Sequence, residues 1–334
     1  MRGPDPGRGV DEFDAIERLL RPLSEGAPEA LGLLDDAAVI SARPGFDLVV
    51  SKDAMVEGVH FLPEDPLDLV ARKLLRVNLS DLAAKGADPY AYLLAAAWPA
   101  RCGWPERTLF VQGLRQDQEL YGLKLIGGDT SSTPGPLTLS LTILGWTPAG
   151  AMVRRSGARA GDLVLVSGTI GDGLLGLKAA QGGLQDLDGA ATAWLADRYR
   201  LPQPRVGLIQ AVRSHASAAA DVSDGLAADA GHIAEASGVA LTLDLDRLPL
   251  SPAAQAWLSI QPERAAALAQ LATGGDDYEI VLTASPVGAQ HLIEEGRQAG
   301  RVLTEIGKVA AGQGVRVTCA GKELALDRTG WRHG

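Results

Sequence analysis

Cysteine is scarce in this chain. Cys102 and Cys319 are the two present, they form no metal-ligand spacing, and two free thiols of a cytosolic protein are preferred over a pairing. Aromatic residues make up 4% of the sequence, too few for a large base-stacking or protein-recognition surface. No apolar run reaches the roughly 18–20 residues that span a membrane, and the N-terminal MRGPDPGRGVDEF has no apolar core, so it is not read as a signal peptide. A cytoplasmic protein is expected. Positive charge is in deficit: 31 Lys and Arg face 41 Asp and Glu, a formal net charge of −10. Such a field repels nucleic acid, anionic membranes and bare phosphates alike. A phosphate substrate would therefore need local positive charge, for which a divalent metal is the natural source. Familiar nucleotide signatures are missing too. There is no G-x-x-x-x-G-K-[ST], no H-R-D with D-F-G, and no evident Ser-His-Asp set.

What is present fits two domains, since 334 residues exceed the roughly 250–300 at which one core stops growing. Apolar residues are 46%, and many of the 40 glycines adjoin Asp, Ser or Thr, as in loops shaped for ligands. Residues 1–10 read as a disordered tail. The pattern predicts a helix from Glu12 to Leu23 with Phe13, Ile16, Leu19 and Leu20 on one face. It then predicts a buried strand over 46–52 that ends at Asp53. Pro66 opens a long helix carrying Leu69, Val70, Leu74, Val77 and Leu82 and stopping near Gly86. A strand over 90–97, a helix from Glu106 to Tyr121, a short strand before GGDT and a strand over 137–145 complete the first part. Pro148, Gly150, Gly157 and Gly161 mark a boundary, giving an N-terminal domain over 11–148 and a C-terminal domain over 149–334. The second part predicts strands at 162–167, AAADV, 239–245 and GGDDYEIVLTA. Helices follow SGTIGDG, run from SDGL through Glu235, and cover 252–272. This alternation indicates α/β or α+β domains.

Carboxylates recur at the predicted ends of these elements: Asp35, Asp36, Asp53, Asp81, Asp129, Asp221, Asp224, Asp276 and Asp277. Singly, each has an ordinary explanation. Asp81 lies four residues before Lys85, the spacing of a helix-surface ion pair. Ser223 or Asp224 suits a helix cap, and Asp129 beside glycines suits an Asx turn. Together they read differently. Asp53, Asp129 and Asp221 each follow an apolar strand in this reading, where α/β proteins collect binding groups. Clustered carboxylates repel unless cations sit among them, and oxygen donors without Cys or His select Mg²⁺ or Mn²⁺. SGTIGDGLLGL, between a strand and a helix, offers backbone amides for a phosphate, with a plain turn at least as good a reading. The five histidines are scattered, and His60 stands out only as lying seven residues after Asp53.

The motifs LLDDAAV, SKDAMVEGVHF, VNLSDLAAKGADP, GGDT, RRSGARAGD, DVSDGLAADAGHIAEASG, LPLS and GGDDYE, in this order, resemble those of the thiamine-monophosphate kinases. EGVHF with DVSDGLAADAGHIA is the most particular part, and the resemblance runs from about Phe13 to Trp331. It implies a two-domain aminoimidazole ribonucleotide synthetase-like fold, a homodimer formed through the N-terminal sheet, and ATP with several Mg²⁺ ions in the cleft. It further implies direct transfer of the ATP γ-phosphate to thiamine monophosphate, with no covalent intermediate. By matching positions, Asp36, Ser51, Lys52, Asp53, Asp81, Asp129, Asp221 and Asp224 would surround metal. Gly128, Asp129, Arg155 and Ser223 would contact ATP, and His60, Asp276 and Trp331 would face the thiamine substrate. Three departures stand out: LLDD lacks the glycine expected before the Asp pair, Lys52 replaces a hydroxyl residue, and Asp276 replaces Glu. Strand alternation turns Lys52 away from Asp53, leaving its backbone carbonyl near the metal. If its side chain instead enters the cleft, it supplies a fixed charge there. Trp331 is equally readable as a core anchor for the C-terminal tail. Selenophosphate synthetases and hydrogenase-maturation proteins of the same superfamily fit less well, because no Cys occurs in the first 60 residues and the chain ends TGWRHG.

Overall fold

The computed structural model of the protein describes residues 10–326 and 329–331, so the expected N-terminal tail lies, apart from Val10, outside the described residues. The chain divides into two compact units. One comprises Met1–Leu79 with Pro89–Gly150, the other Ser80–Asp88 with Ala151–Gly334.

The first unit is built on a four-stranded sheet of β1 (Phe46–Val56), β2 (Asp88–Pro99), β3 (Leu125–Thr133) and β4 (Thr138–Pro148), in the order β1-β4-β2-β3. β1 pairs antiparallel with β4 from Phe46↔Pro148 to Val56↔Thr138, while β2 and β3 run parallel. Its helical elements are α1 (Glu12–Ala15), α3 (Trp104–Tyr121) and, as far as Leu79, α2 (Leu67–Ala84), whose last turn is counted with the second unit. α2 starts just after Pro66, whose carbonyl accepts the Val70 N–H, and ends before Gly86 at φ 66°. It buries Val70, Leu74, Val77 and Leu82 as its period predicts. The fully buried Asp117 carboxylate of α3 binds Arg72 at 2.9 Å and also Arg76, so this buried charge is paired.

Three expectations change here. β1 does not end at Asp53 but continues to Val56, and it alternates: Val49 and Met55 are buried while Val50, Lys52 and Ala54 are exposed. β3 likewise runs through the whole GGDTSST segment, so Asp129 lies within a strand and not after one. Both strands outlast their apolar runs because partner strands supply the ladder. The helix expected over 12–23 is irregular. After Ala15 it widens into a π-helical stretch at Ile16–Leu20, then tightens to 3₁₀ at Arg21–Ser24, and Phe13 is 76% exposed while Leu23 is buried.

The second unit carries a mixed seven-stranded sheet. Its strands are β5 (Leu163–Ser167), β6 (Ala218–Asp221), β7 (Ala240–Asp244), β8 (Ile280–Ala284), β9 (Leu303–Ala310), β10 (Gly314–Cys319) and β11 (Lys322–Glu323), in the order β11-β10-β7-β9-β5-β8-β6. β10 and β7 are parallel; β5 is antiparallel to both β8 and β9. The helices are α4 (Asp172–Ala180), α5 (Gly189–Arg200), α6 (Ile209–His215), α7 (Leu226–Ser237), α8 (Pro252–Ser259), α9 (Arg264–Ala272) and α10 (Pro286–Gln298). The sheet is apolar on both faces, and period-2 alternation sorts its residues into two cores. Val164, Val166, Ala218, Ala220 and Val281 join α4, α5, α7, α8 and α9 in one, and Leu165, Ala219 and Leu282 join α6 and α10 in the other. The single helix expected over 252–272 is two, because Pro262 has no N–H and disfavours helix in the residue before it.

Candidate active site

In the first unit, Asp36, Lys52, Gly128, Asp129, Ser140 and Thr142 line one cavity of about 430 Å³, with Ile16, Leu20 and Leu33 as an apolar wall. Lys52 and Asp53 point to opposite faces of β1, and only Lys52 lines this cavity. Lys52 therefore lines the same space as Asp36 and Asp129, which strand alternation by itself did not tell. Ser51 and Asp53 stand on the face of Val49 and Met55, with the Asp53 carbonyl accepting the Ser140 hydroxyl at 3.1 Å. Gly128 is required by packing, since a Cβ there would lie 1.8 Å from the Leu94 carbonyl oxygen of the neighbouring strand. His60 sits in the tight turn after β1. The Val56 N–H donates to its Nδ1 at 3.0 Å, which puts the proton of the neutral ring on Nε2, and its carbonyl accepts from Lys73 at 3.0 Å.

In the second unit the site residues gather where β6 gives way to α7. Asp221 ends the strand, buried, and Ser223 and Asp224 form the turn. Gly225, at φ 120°, enters the helix where a Cβ would meet the Thr273 backbone at 2.9 Å. The buried carboxylate of Asp229, in the first turn of α7, accepts the N–H groups of Ser223 at 3.1 Å and Asp224 at 3.2 Å, and so holds the turn. Burial and the neighbouring Asp224 push the Asp229 pKa up to about 7. Ligand atoms of Asp224, Asp229 and His232 come within 4.8 Å of one another. Arg155 is exposed, with its carbonyl bound by Ser237, and Asp81 lies one helical turn before Lys85.

Next to this turn lies the GGDDYE segment. Asp276 N–H donates to the Ser223 carbonyl at 2.9 Å and Tyr278 N–H to the Val222 carbonyl at 2.8 Å. Both residues have positive φ, 70° and 50°, an uncommon conformation for side-chain-bearing residues. Gly275 passes so near Ser223 that a Cβ would lie 2.5 Å from its carbonyl oxygen. The C-terminal segment closes on the same place: Trp331 N–H donates to the Asp224 carbonyl at 2.9 Å, while its side chain belongs to a residue 54% exposed. A residue this exposed does not fit the core-anchor reading.

Of the two readings of SGTIGDG, the plain turn is the one the structure supports. The amides of Gly171 and Gly173, in the glycine-rich turn before α4, each donate at 2.8 Å to the fully buried carboxylate of Asp277. The acceptor at this turn is part of the chain, so these two amides are not a phosphate cradle. Asp229, Asp277 and Lys85 are the site-region residues that sequence reasoning left without a role. The doubled Asp of GGDDYE and an acidic residue in the first turn of α7 were the available signals.

The donors at this turn suit a hard divalent cation: the carboxylates of Asp224 and Asp229, grouped with His232 and beside Ser223, offer oxygen ligands with one imidazole.

The model of the AIR synthase related protein N-terminal domain matches residues 34–147, and that of the C-terminal domain matches residues 159–320. The thiamine-monophosphate kinase of Caulobacter vibrioides is 55% identical over 323 residues, 97% of this chain and 91% of that protein. The Escherichia coli K12 enzyme of the same name is 39% identical, covering 96% and 98% of the two chains. Among solved structures, the thiamine-monophosphate kinase of Stenotrophomonas maltophilia K279a superposes with a TM-score of 0.82 at 39% identity over 94% of this chain and 98% of that one. A complex of AaThiL with AMPPCP and TMP gives 0.76 at 29% identity over 97% of each. With both domain models matched in order and full-length relatives well above 30% identity, the chain belongs to the thiamine-monophosphate kinase family of AIR synthase related proteins.

Proposed function

We propose that this chain transfers the γ-phosphate of ATP directly to the phosphate of thiamine monophosphate, giving thiamine diphosphate and ADP. The acceptor is already an anion, so no hydroxyl needs deprotonation, and alignment and charge neutralisation are the main demands on the protein. We assign Asp36, Asp53 and Asp129 in the first unit as ligands of Mg²⁺, and in the second unit Asp81, Asp221 and Asp224. Ser51 and Lys52 adjoin them. Bound Mg²⁺ supplies the positive charge that brings two phosphate groups into line. Gly128, Asp129, Arg155 and Ser223 hold ATP, and His60, Asp276 and Trp331 receive the thiamine end. We place the reaction in the cytoplasm and on a homodimer.

The observation that carries this reading is the β6–α7 turn after Asp221, where Asp229 holds Ser223 and Asp224, and where Asp276 bonds to Ser223 and Trp331 to Asp224. The AaThiL complex with an ATP analogue and TMP supports the same pair of substrates. The test is a coupled ADP-release assay with thiamine monophosphate, unphosphorylated thiamine and formylglycinamidine ribonucleotide. Turnover of the first alone is expected; equal or faster turnover of free thiamine would sink the assignment.

A further inference from the structure

We infer that Lys85 is a built-in cation of the Asp81, Asp221 and Asp229 carboxylate group, supplying charge that divalent metal would otherwise have to provide. The inference rests on the metal-binding reading of Asp81 and Asp221 above.

Lys85 follows the last turn of α2, and its N–H donates to the carbonyl of Asp81 at 3.0 Å, so the two residues stand one turn apart. Its Nζ donates to the Ala219 carbonyl at 2.7 Å, two residues before Asp221 on the same strand. β6 is the edge of its sheet, and this edge is covered: the Ala219 N–H goes to the Arg154 carbonyl at 3.0 Å, and the Val153 N–H to the Lys85 carbonyl at 3.1 Å. The segment leading to Arg155 is thereby sewn to both Lys85 and β6.

The simplest role for Lys85 is to satisfy an edge carbonyl. A neutral donor would do that without the cost of desolvating an ammonium. The electrostatics distinguish the two roles. Nζ is fixed at Ala219, whose side of β6 also carries Asp221 two residues on, and Asp81 stands one turn before Lys85. Burial and Arg155 leave the Lys85 pKa lowered overall, against an upward pull from Asp221, Asp81 and Asp229, the sign expected for a cation held near these carboxylates. Two of these are assigned to metal, and the third holds the Ser223–Asp224 turn. A fixed positive charge here lowers their mutual repulsion in the metal-free protein and competes with an incoming Mg²⁺ ion.

The test uses the full chain and reads Mg²⁺ binding from the thermal shift, without turnover. Lys85→Met and Lys85→Gln both remove the charge, and the second keeps a donor for Ala219. Both should melt lower than the parent in EDTA and recover most of the difference in saturating Mg²⁺. Their half-saturating Mg²⁺ should fall by about tenfold, the scale of losing one unit charge a few ångströms from a divalent ion. Lys85→Arg should keep the parental value. An unchanged half-saturation point, with the same melting loss with and without Mg²⁺, would make Lys85 a carbonyl partner only. Asp221→Asn serves as the reference. If it binds Mg²⁺ like the parent, the metal assignment itself fails, whatever Lys85 does.

Discussion

Asp277 and Gly171 are more than 100 residues apart in sequence, yet the Asp277 carboxylate accepts the Gly171 N–H at 2.8 Å and ties the turn before α4 to the GGDDYE segment. Its second oxygen takes the Gly173 N–H at the same distance. Both acceptor positions of one buried side chain are thus used on a single turn, next to Asp276.

Asp277→Asn keeps the size but turns one acceptor into a donor facing an amide N–H. We expect a stability loss of about 1–3 kcal/mol, the cost of a buried polar group left unsatisfied. A lower urea midpoint with an unchanged slope is the expected result; an unchanged midpoint would show that the turn holds without this carboxylate.

Asp53→Asn, Asp129→Asn and Asp221→Asn should each lower kcat/KM by about 100-fold or more, the scale of losing several kcal/mol of charge stabilisation. The metal-free variants should melt no lower than the parent, because each change relieves like-charge repulsion. Full activity in all three would assign these carboxylates to structure.

Trp331→Ala should raise KM for thiamine monophosphate more than KM for ATP. Loss of a ring face for a cationic heterocycle is worth about 0.5–2 kcal/mol. The backbone bond to Asp224 survives the substitution, and the side chain is exposed, so the melting temperature should hold. Equal KM values in both proteins would remove Trp331 from the thiamine end.

The pH dependence of stability should carry a signature of Asp229. Its folded pKa of about 7 stands above the ordinary aspartate value of 3.8. Between these two values the folded chain holds a proton that the unfolded chain has lost, so this group's contribution is full below the lower value and is lost as pH rises through the higher. In EDTA the unfolding free energy should therefore contain a component that falls as pH rises from about 4 to about 7. Asp229→Asn should flatten that component, and so should saturating Mg²⁺ in the parent, since a nearby cation lowers a carboxylate pKa. Identical pH profiles in parent and variant would dismiss it.

Much of the fold was legible in the chain. α2 announced itself through Pro66 and a clean helical period, and β4 through its alternation. The region around Pro262 shows where local reading stopped short: the apolar period continues across a residue that backbone chemistry does not let pass. β1 and β3 were read as too short because polar residues in a paired strand cost little once a neighbour satisfies the backbone. At the site, Asp221 was picked out by its place at a predicted strand end, and it does end β6, whereas Asp224 read as a helix cap and joined the set only through the family resemblance. The Asp277 contact could not be picked out, because nothing near Gly171 in sequence says which anion fills its turn. Lys52 was half legible: alternation separates it from Asp53, but the cavity it enters depends on Asp36 and Asp129, brought in from elsewhere in the first unit.

The two positive-φ residues that flank Asp277 bear on anyone who would redesign this enzyme's specificity. Asp276 is an obvious position to randomise, yet its backbone admits Gly, Asn and Asp far more readily than β-branched or bulky side chains. A saturation library there would be filtered by backbone strain before any substrate was offered, and survivors would be enriched in small residues for conformational reasons. Diversity is better spent at Trp331, a residue 54% exposed whose backbone N–H is fixed to the Asp224 carbonyl, a bond that does not depend on the side chain and so leaves many side chains one attachment point.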